Sequence, residues 1–210
     1  KLYDGTATAT FSTGTASLDG LIAGDIVRIN ATGTFDNKKV GNAKPVTFTS
    51  TYFGADAGNY SFTDQTTATA VILPRPLTVG GITVFDKVYD GNTSAVVDSS
   101  SATLSGLVAG DFVTVNATGI FSDKNAGSLK TVSLTSTHFG VDAGNYSFTD
   151  QTRGTASITA KLLSVAGIAA ENKVYDGTTT AVLTGGNLIG ALAGDGIGLS
   201  APVGAFGDKN

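Results

Sequence analysis

Asp142-Ala143-Gly144-Asn145-Tyr146-Ser147-Phe148-Thr149-Asp150-Gln151-Thr152 occurs letter for letter a second time, at residues 56–66. Inside it, Tyr146-Ser147-Phe148-Thr149 alternates apolar and hydroxyl side chains, the period of two that marks a strand with one buried face. The flanking sequence keeps that period. Thr131-Val132-Ser133-Leu134-Thr135 sets Val132 and Leu134 between hydroxyls, and Ala156-Ser157-Ile158-Thr159 does the same. Phe112-Val113-Thr114-Val115-Asn116 puts Val113 and Val115 on one face. Val and Thr branch at Cβ, which suits a pleated surface better than a helix. Gly, Asp and Asn punctuate the strands at intervals of 8–15 residues, and no amphipathic helical stretch exceeds a turn. The pattern predicts an all-β chain.

The duplication extends far beyond one stretch. Lys1-Leu2-Tyr3-Asp4-Gly5 recurs as Lys87-Val88-Tyr89-Asp90-Gly91 and as Lys173-Val174-Tyr175-Asp176-Gly177, both steps being 86 residues. Gly24-Asp25 recurs as Gly110-Asp111 and Gly194-Asp195, and Phe121–Asn125 as Phe206–Asn210. Residues 1–76 and 87–162, aligned without gaps, are identical at 41 of 76 positions. A period of 86 is too long for a solenoid turn and suits a small domain with one core. Pro74-Arg75-Pro76 is the one place with two closely spaced prolines, so the junctions are set near 76/77 and 162/163. The expected division is 1–76 (without its first strand), 77–162 (complete) and 163–210 (the N-terminal part of a third copy). About seven short strands per copy predict tandem immunoglobulin-like antiparallel β-sandwiches, each closing its own core.

Composition removes most chemistry. Hydrophobic residues make up 41% and charged residues only 14%, below the roughly 25% of ordinary domains. The 13 Lys and Arg are scattered against 17 Asp and Glu, for a net charge of −4, which leaves no basic face for nucleic acid. There is no Cys and one His, so thiolate, zinc-thiolate and multi-histidine sites are out of reach. No apolar run approaches the roughly 18 residues of a membrane span. The expectation is a non-enzymatic chain with no catalytic residues, cofactor or metal, and no membrane span.

Asp142-Ala143-Gly144-Asn145-Tyr146-Ser147-Phe148 resembles the D-x-G-x-Y-x-C signature of immunoglobulin-type sandwiches, with Phe148 in the cysteine position. That resemblance implies a tyrosine corner, the hydroxyl bonding back to nearby backbone, and a core plug two residues later. The implied residues are Asp56, Tyr60 and Phe62 in one copy and Asp142, Tyr146 and Phe148 in the next. Tyr3-Asp4-Gly5, Tyr89-Asp90-Gly91 and Tyr175-Asp176-Gly177 read as turns, with Asp accepting backbone N–H groups and Gly supplying positive φ.

Taken together, K-V-Y-D-G at 87–91, G-L-V-A-G-D at 106–111, D-K-N-A-G at 123–127 and D-A-G-N-Y at 142–146 resemble the YDG domain. That module occurs in tandem in filamentous-haemagglutinin-type bacterial surface proteins and is related to the Ig-like MBG modules. The first copy departs from the pattern at Asn37-Lys38-Lys39-Val40-Gly41. The resemblance implies a secreted adhesin at the bacterial cell surface, serving cell adhesion and biofilm, whose repeats form a stalk that extends a binding tip. Its partners are then neighbouring repeats, self-association and a host or matrix receptor. The alternatives are a module that grips carbohydrate or protein directly, or a fibre built by strand addition between chains. Sugar platforms usually offer exposed aromatics, and Trp is absent.

Three chemical readings compete with these structural ones. Asp142, Asn145 and Asp150 hold too few closely spaced carboxylates for a calcium loop. Lys87, Lys124, Asn145, Asp90 and Asp111 supply the residue types of an amide cross-link, which needs a desolvated, neutral lysine. His138 aligns with Tyr52, which favours an aromatic at a strand end over a ligand or base.

Overall fold

The computed structural model describes residues 1–10, 12–13 and 16–209; Asn210, the last residue of the third D-K-N copy, lies outside them. The chain is all-β, and the helical residues among those described are two 3-10 turns at Ala57–Asn59 and Ala143–Asn145. The first copy carries β1 (Thr8–Ala9), β2 (Arg28–Phe35), β3 (Gly41–Phe53) and β4 (Thr67–Ile72). The second begins with β5 (Arg75–Gly80), β6 (Thr83–Val84), β7 (Lys87–Val88), β8 (Ser94–Ala95), β9 (Val97–Asp98) and β10 (Thr103–Ser105). It continues with β11 (Thr114–Phe121), β12 (Gly127–Phe139), β13 (Tyr146–Thr149) and β14 (Arg153–Thr159). The third has β15 (Ser164–Ala170), β16 (Thr180–Ala181), β17 (Leu183–Ile189) and β18 (Gly204–Ala205).

The sheets follow in the orders β1-β2-β3-β4, β10-β5-β13 and β7-β14-β12-β11-β8, with the two-stranded pairs β6-β9, β15-β17 and β16-β18. Most pairs are antiparallel, as the alternation predicted. Two are not: β13 runs parallel to β5, and β14 parallel to β7. The reason is positional. Strand β5 opens the second copy and lies between a strand that returns against it and a later one that runs with it.

Alternation survives into packing. Along β2, Gly33 and Phe35 are buried between exposed Thr32 and Thr34, and β11 repeats the alternation with Gly119 and Phe121 buried and Thr118 and Ile120 exposed. The long strands β3 and β12 each shift register near their start, between Gly41 and Lys44 and between Gly127 and Lys130. At these bulges Ala43 and Leu129 take positive φ of 50° and 48°. The extra residue turns Lys44 toward Asp36 and Lys130 toward Asp123, both at 2.7 Å.

The chain packs into two compact units. One comprises Lys1–Ile82, Ser99–Ala117 and Ser136–Gln151, the other Thr83–Asp98, Thr118–Thr135 and Thr152–Asn210. The boundaries of packing are therefore not those of repetition. The core of the first unit joins Tyr3, Phe35, Val46 and Ile72 of the first copy to Leu77, Val113 and Tyr146 of the second. Its apolar interior runs across residues 76 and 77, where each copy was expected to close its own. Physically, the four-stranded sheet of copy one needs a cover for its buried face, and the β10-β5-β13 sheet of copy two supplies it. Leu77 alone, fully buried, contributes roughly 1.5–3 kcal/mol. In the second unit the buried side chains are Phe121, Val132, Leu134, Ala156 and Ile158. Strand β15 is exposed along its whole length.

Candidate functional site: a tyrosine–aspartate–lysine cluster joining successive repeats

Each K-x-Y-D-G segment folds on itself. Asp4 Oδ1 accepts the Thr6 N–H at 2.9 Å and the Lys1 ammonium at 2.7 Å, and Gly5 turns the chain at φ 81°. The same bonds recur as Lys87–Asp90 with the Asn92 N–H, and as Lys173–Asp176 with the Thr178 N–H. Each lysine also donates to the carbonyl two residues past its aspartate, at 2.8–2.9 Å. Each lies over a phenylalanine ring, Phe35, Phe121 or Phe206. Burial pushes the Asp4 carboxyl up, but Lys1 and Thr6 outweigh it and bring it to about 2. Lys173 and the Thr178 donors hold Asp176 at about 2 as well.

The turn leaves its tyrosine pointing away, and that side chain makes the joint. Tyr3 is fully buried, and its hydroxyl donates to Asp111 Oδ2 at 2.7 Å, 108 residues along the chain. Tyr146 donates to the same oxygen at 2.6 Å while accepting the Val108 N–H at 3.1 Å. Lys38 Nζ closes the group on Asp111 Oδ1 at 2.8 Å, with Asp142 Oδ1 at 3.7 Å. The two tyrosine rings meet edge to face, with centroids 5.5 Å apart. A Cβ on Gly5 would stand 2.8 Å from Val108 Cγ1, so glycine serves both the turn and the close approach of the next copy. The Asp111 side chain is only 1% exposed. Burial works against its charge, yet Lys38 and the two phenols overcome this and lower its pKa. In turn, Asp111 raises that of Lys38. Burial and the bond to Asp111 raise Tyr3 and push Tyr146 up to about 12.

The second unit repeats the joint one copy later. Tyr89 donates to Asp195 Oδ1 at 2.6 Å, and Lys124 Nζ stands 3.7 Å from the same atom. Tyr175, the third tyrosine of the series, is 68% exposed. Asp25 and Tyr60 form the equivalent aspartate–tyrosine pair in the first copy, with the Ile22 N–H on the phenol oxygen.

The corner residues brace the loop that carries this aspartate. Asp142 Oδ2 accepts the Phe112 N–H at 3.0 Å and Asp56 Oδ2 the Ile26 N–H at 2.8 Å. The Tyr146 hydroxyl finds its backbone partner 38 residues upstream, at Val108. Phe148 and Phe62 are half-buried and stack on His138 and Tyr52, with ring centroids 3.6 Å apart in both pairs. His138 Nε2 lies 2.8 Å from Asp150 Oδ1, and Tyr52 bonds Asp64, so the aligned His and Tyr do the same work. Asn145 Oδ1 is taken by the Val40 N–H. The candidate cross-linking lysines are ion-paired, Lys87 to Asp90 and Lys124 to Asp195. Among the described residues no group of three or more His, Cys, Asp or Glu is placed to hold a metal ion.

Sequence reasoning used Asp25 and Asp195 only as markers of the repeat and Asp111 also as a carboxyl for an amide cross-link, and missed the lysine at 38 as a partner. The available signal was recurrence of isolated charges in a chain that has few. A family model described as the YDG domain matches residues 1–69, 73–153 and 159–210. No curated protein and no solved structure matches the chain.

Proposed function

The chain belongs to the YDG domain family, and from that premise we propose that it is a run of structural spacer repeats. In this reading the repeats form a series of immunoglobulin-like sandwiches in a secreted bacterial adhesin, each closed by sheets from two successive copies. The series holds a binding tip away from the cell surface, and no catalytic step is assigned to it. The observation that carries the proposal is the repeated joint: Tyr3 on Asp111 with Lys38, then Tyr89 on Asp195 with Lys124. A spacer needs each repeat fixed to the next by the same contacts, so that length grows by a constant increment. A joint buried in a shared core supplies that, because bending it would expose Leu77 and unpair a desolvated carboxylate.

The test is small-angle scattering on proteins of two, three and four repeats. The expected result is a maximum dimension that rises by the same amount per repeat. A compact particle growing in all directions overturns the spacer reading, and saturable binding of this chain on a glycan array favours direct carbohydrate recognition instead.

A further inference from the structure

Among the described residues the buried polar side chains are Lys44 and Asn145, so Lys44 is the buried lysine. The register shift between Gly41 and Lys44 lays its stem on Gly41, where a Cβ would stand 3.3 Å from Lys44 Cγ and Cδ. Its ammonium meets two groups of the preceding hairpin. Nζ lies 2.7 Å from Asp36 Oδ1 and donates to the side-chain carbonyl oxygen of Asn37 at 2.9 Å. Those two groups are also joined, because the Asn37 Nδ2–H donates to Asp36 Oδ2 at 2.9 Å. One carboxylate thus touches both the amine and the amide nitrogen. The Lys39 backbone N–H donates to Asn37 Oδ1 at 2.9 Å, on the oxygen where charge gathers when the amide carbon is attacked. The second copy has a different set: Lys130 lies 2.7 Å from Asp123, which stands in the place of Asn37, and Ser122 stands in the place of Asp36. Lys87 also reaches an amide, Asn92 Oδ1 at 3.0 Å, but there Asp90 accepts the Asn92 backbone N–H.

We propose that Lys44 and Asn37 form an amide cross-link across the β2–β3 hairpin, with Asp36 carrying the protons. Asp36 Oδ1 takes a proton from the Lys44 ammonium, which frees the lone pair on Nζ. Nζ then bonds to Asn37 Cγ and gives up a second proton to Asp36. The Cγ–Nδ2 bond breaks with its electron pair going to nitrogen, and both protons pass through Asp36 to Nδ2. The products are a secondary amide and one ammonium ion, so the step needs no oxidant or reductant. Burial of Lys44 favours the neutral amine, and the hairpin holds amine and amide side by side. The ion pair is the resting form, since Lys44 keeps the Asp36 carboxyl below its ordinary value. The reaction runs once per chain, so that uphill transfer sets its rate and not its yield. Asp36 is 43% exposed, which gives the ammonium a way out. The hairpin so closed carries Lys38 onto Asp111 and the Val40 N–H onto Asn145. The cross-link therefore fixes the first copy's side of the joint. The inference holds whether or not the repeats serve as a spacer.

The test is intact mass spectrometry of the full 210-residue chain after incubation at neutral pH, followed by tryptic mapping. The expected mass is one ammonia below that of the sequence. The tryptic peptides of residues 29–38 and 40–87 are expected as one branched species. Lys44→Arg keeps a buried cation without an attacking amine and is expected at full mass. Asp36→Asn is expected to slow the appearance of the branched species at least ~tenfold. A parent chain at full sequence mass overturns the assignment, whatever the variants show. So does an ammonia loss that persists in Lys44→Arg or that maps to residue 37 alone, which marks a succinimide at Asn37 instead of a cross-link.

Discussion

Asp111 receives two phenol hydroxyls and an ammonium on a side chain that is 1% exposed. Removing it strands all three donors, but it also removes the cost of burying the carboxylate, so the net loss is set near the top of the roughly 1.5–3 kcal/mol of a single hydrogen bond to a charged group. Asp111→Ala is therefore expected to lower unfolding stability by about 3 kcal/mol. Asp25→Ala, which removes the acceptor of Tyr60 alone, is expected to cost about 1 kcal/mol in the same urea titration. Equal losses contradict the assignment. The tyrosines add a pH dependence. Tyr3 and Tyr146 are raised above their ordinary value of 10.0 by burial and by Asp111, so the folded chain favours the neutral phenols. Their contribution is complete below pH 10.0 and is lost as pH climbs through the folded value, about 12 for Tyr146. Tyrosinate absorbance is expected to rise together with loss of the far-ultraviolet strand signal in that window. Full ionisation of an intact fold contradicts this.

At the scale of elements, the strands were legible because period two needs only local alternation. Thr131–Thr135 and Ala156–Thr159 lie in β12 and β14 with Val132, Leu134, Ala156 and Ile158 buried, as their spacing required. The Asp-Gly turns were legible for the same reason, since Asx bonding and positive φ are local properties. The parallel pairing of β5 with β13 was not, because strand direction is fixed by contacts about 70 residues apart. Nor was Gly140 visible as more than a loop residue. It has φ 116°, and a Cβ there would sit 2.2 Å from the Phe112 carbonyl oxygen. Gly54 repeats that approach to Ile26. Gly140→Ala is expected to cost at least ~2 kcal/mol, from both left-handed strain and backbone collision. Gly144→Ala, where a Cβ meets nothing within 4 Å, is expected to lie within ~0.5 kcal/mol of the parent in thermal melting.

At the scale of the whole molecule, repetition and packing have different units. The period of 86 is written in the sequence, but the first core takes four residues from one copy and three from the next. Periodicity cannot reveal this, because a motif that docks on its own copy and one that docks on the following copy recur with the same spacing. Burial of Tyr3 against a residue 108 positions away distinguishes them. The most direct measurement is a double-mutant cycle on Tyr3→Phe and Asp111→Ala in the full chain, read by equilibrium urea unfolding. A shared hydrogen-bonded network is expected to give a coupling energy of at least ~1 kcal/mol. Losses that add to within about 0.3 kcal/mol contradict a joint between successive repeats.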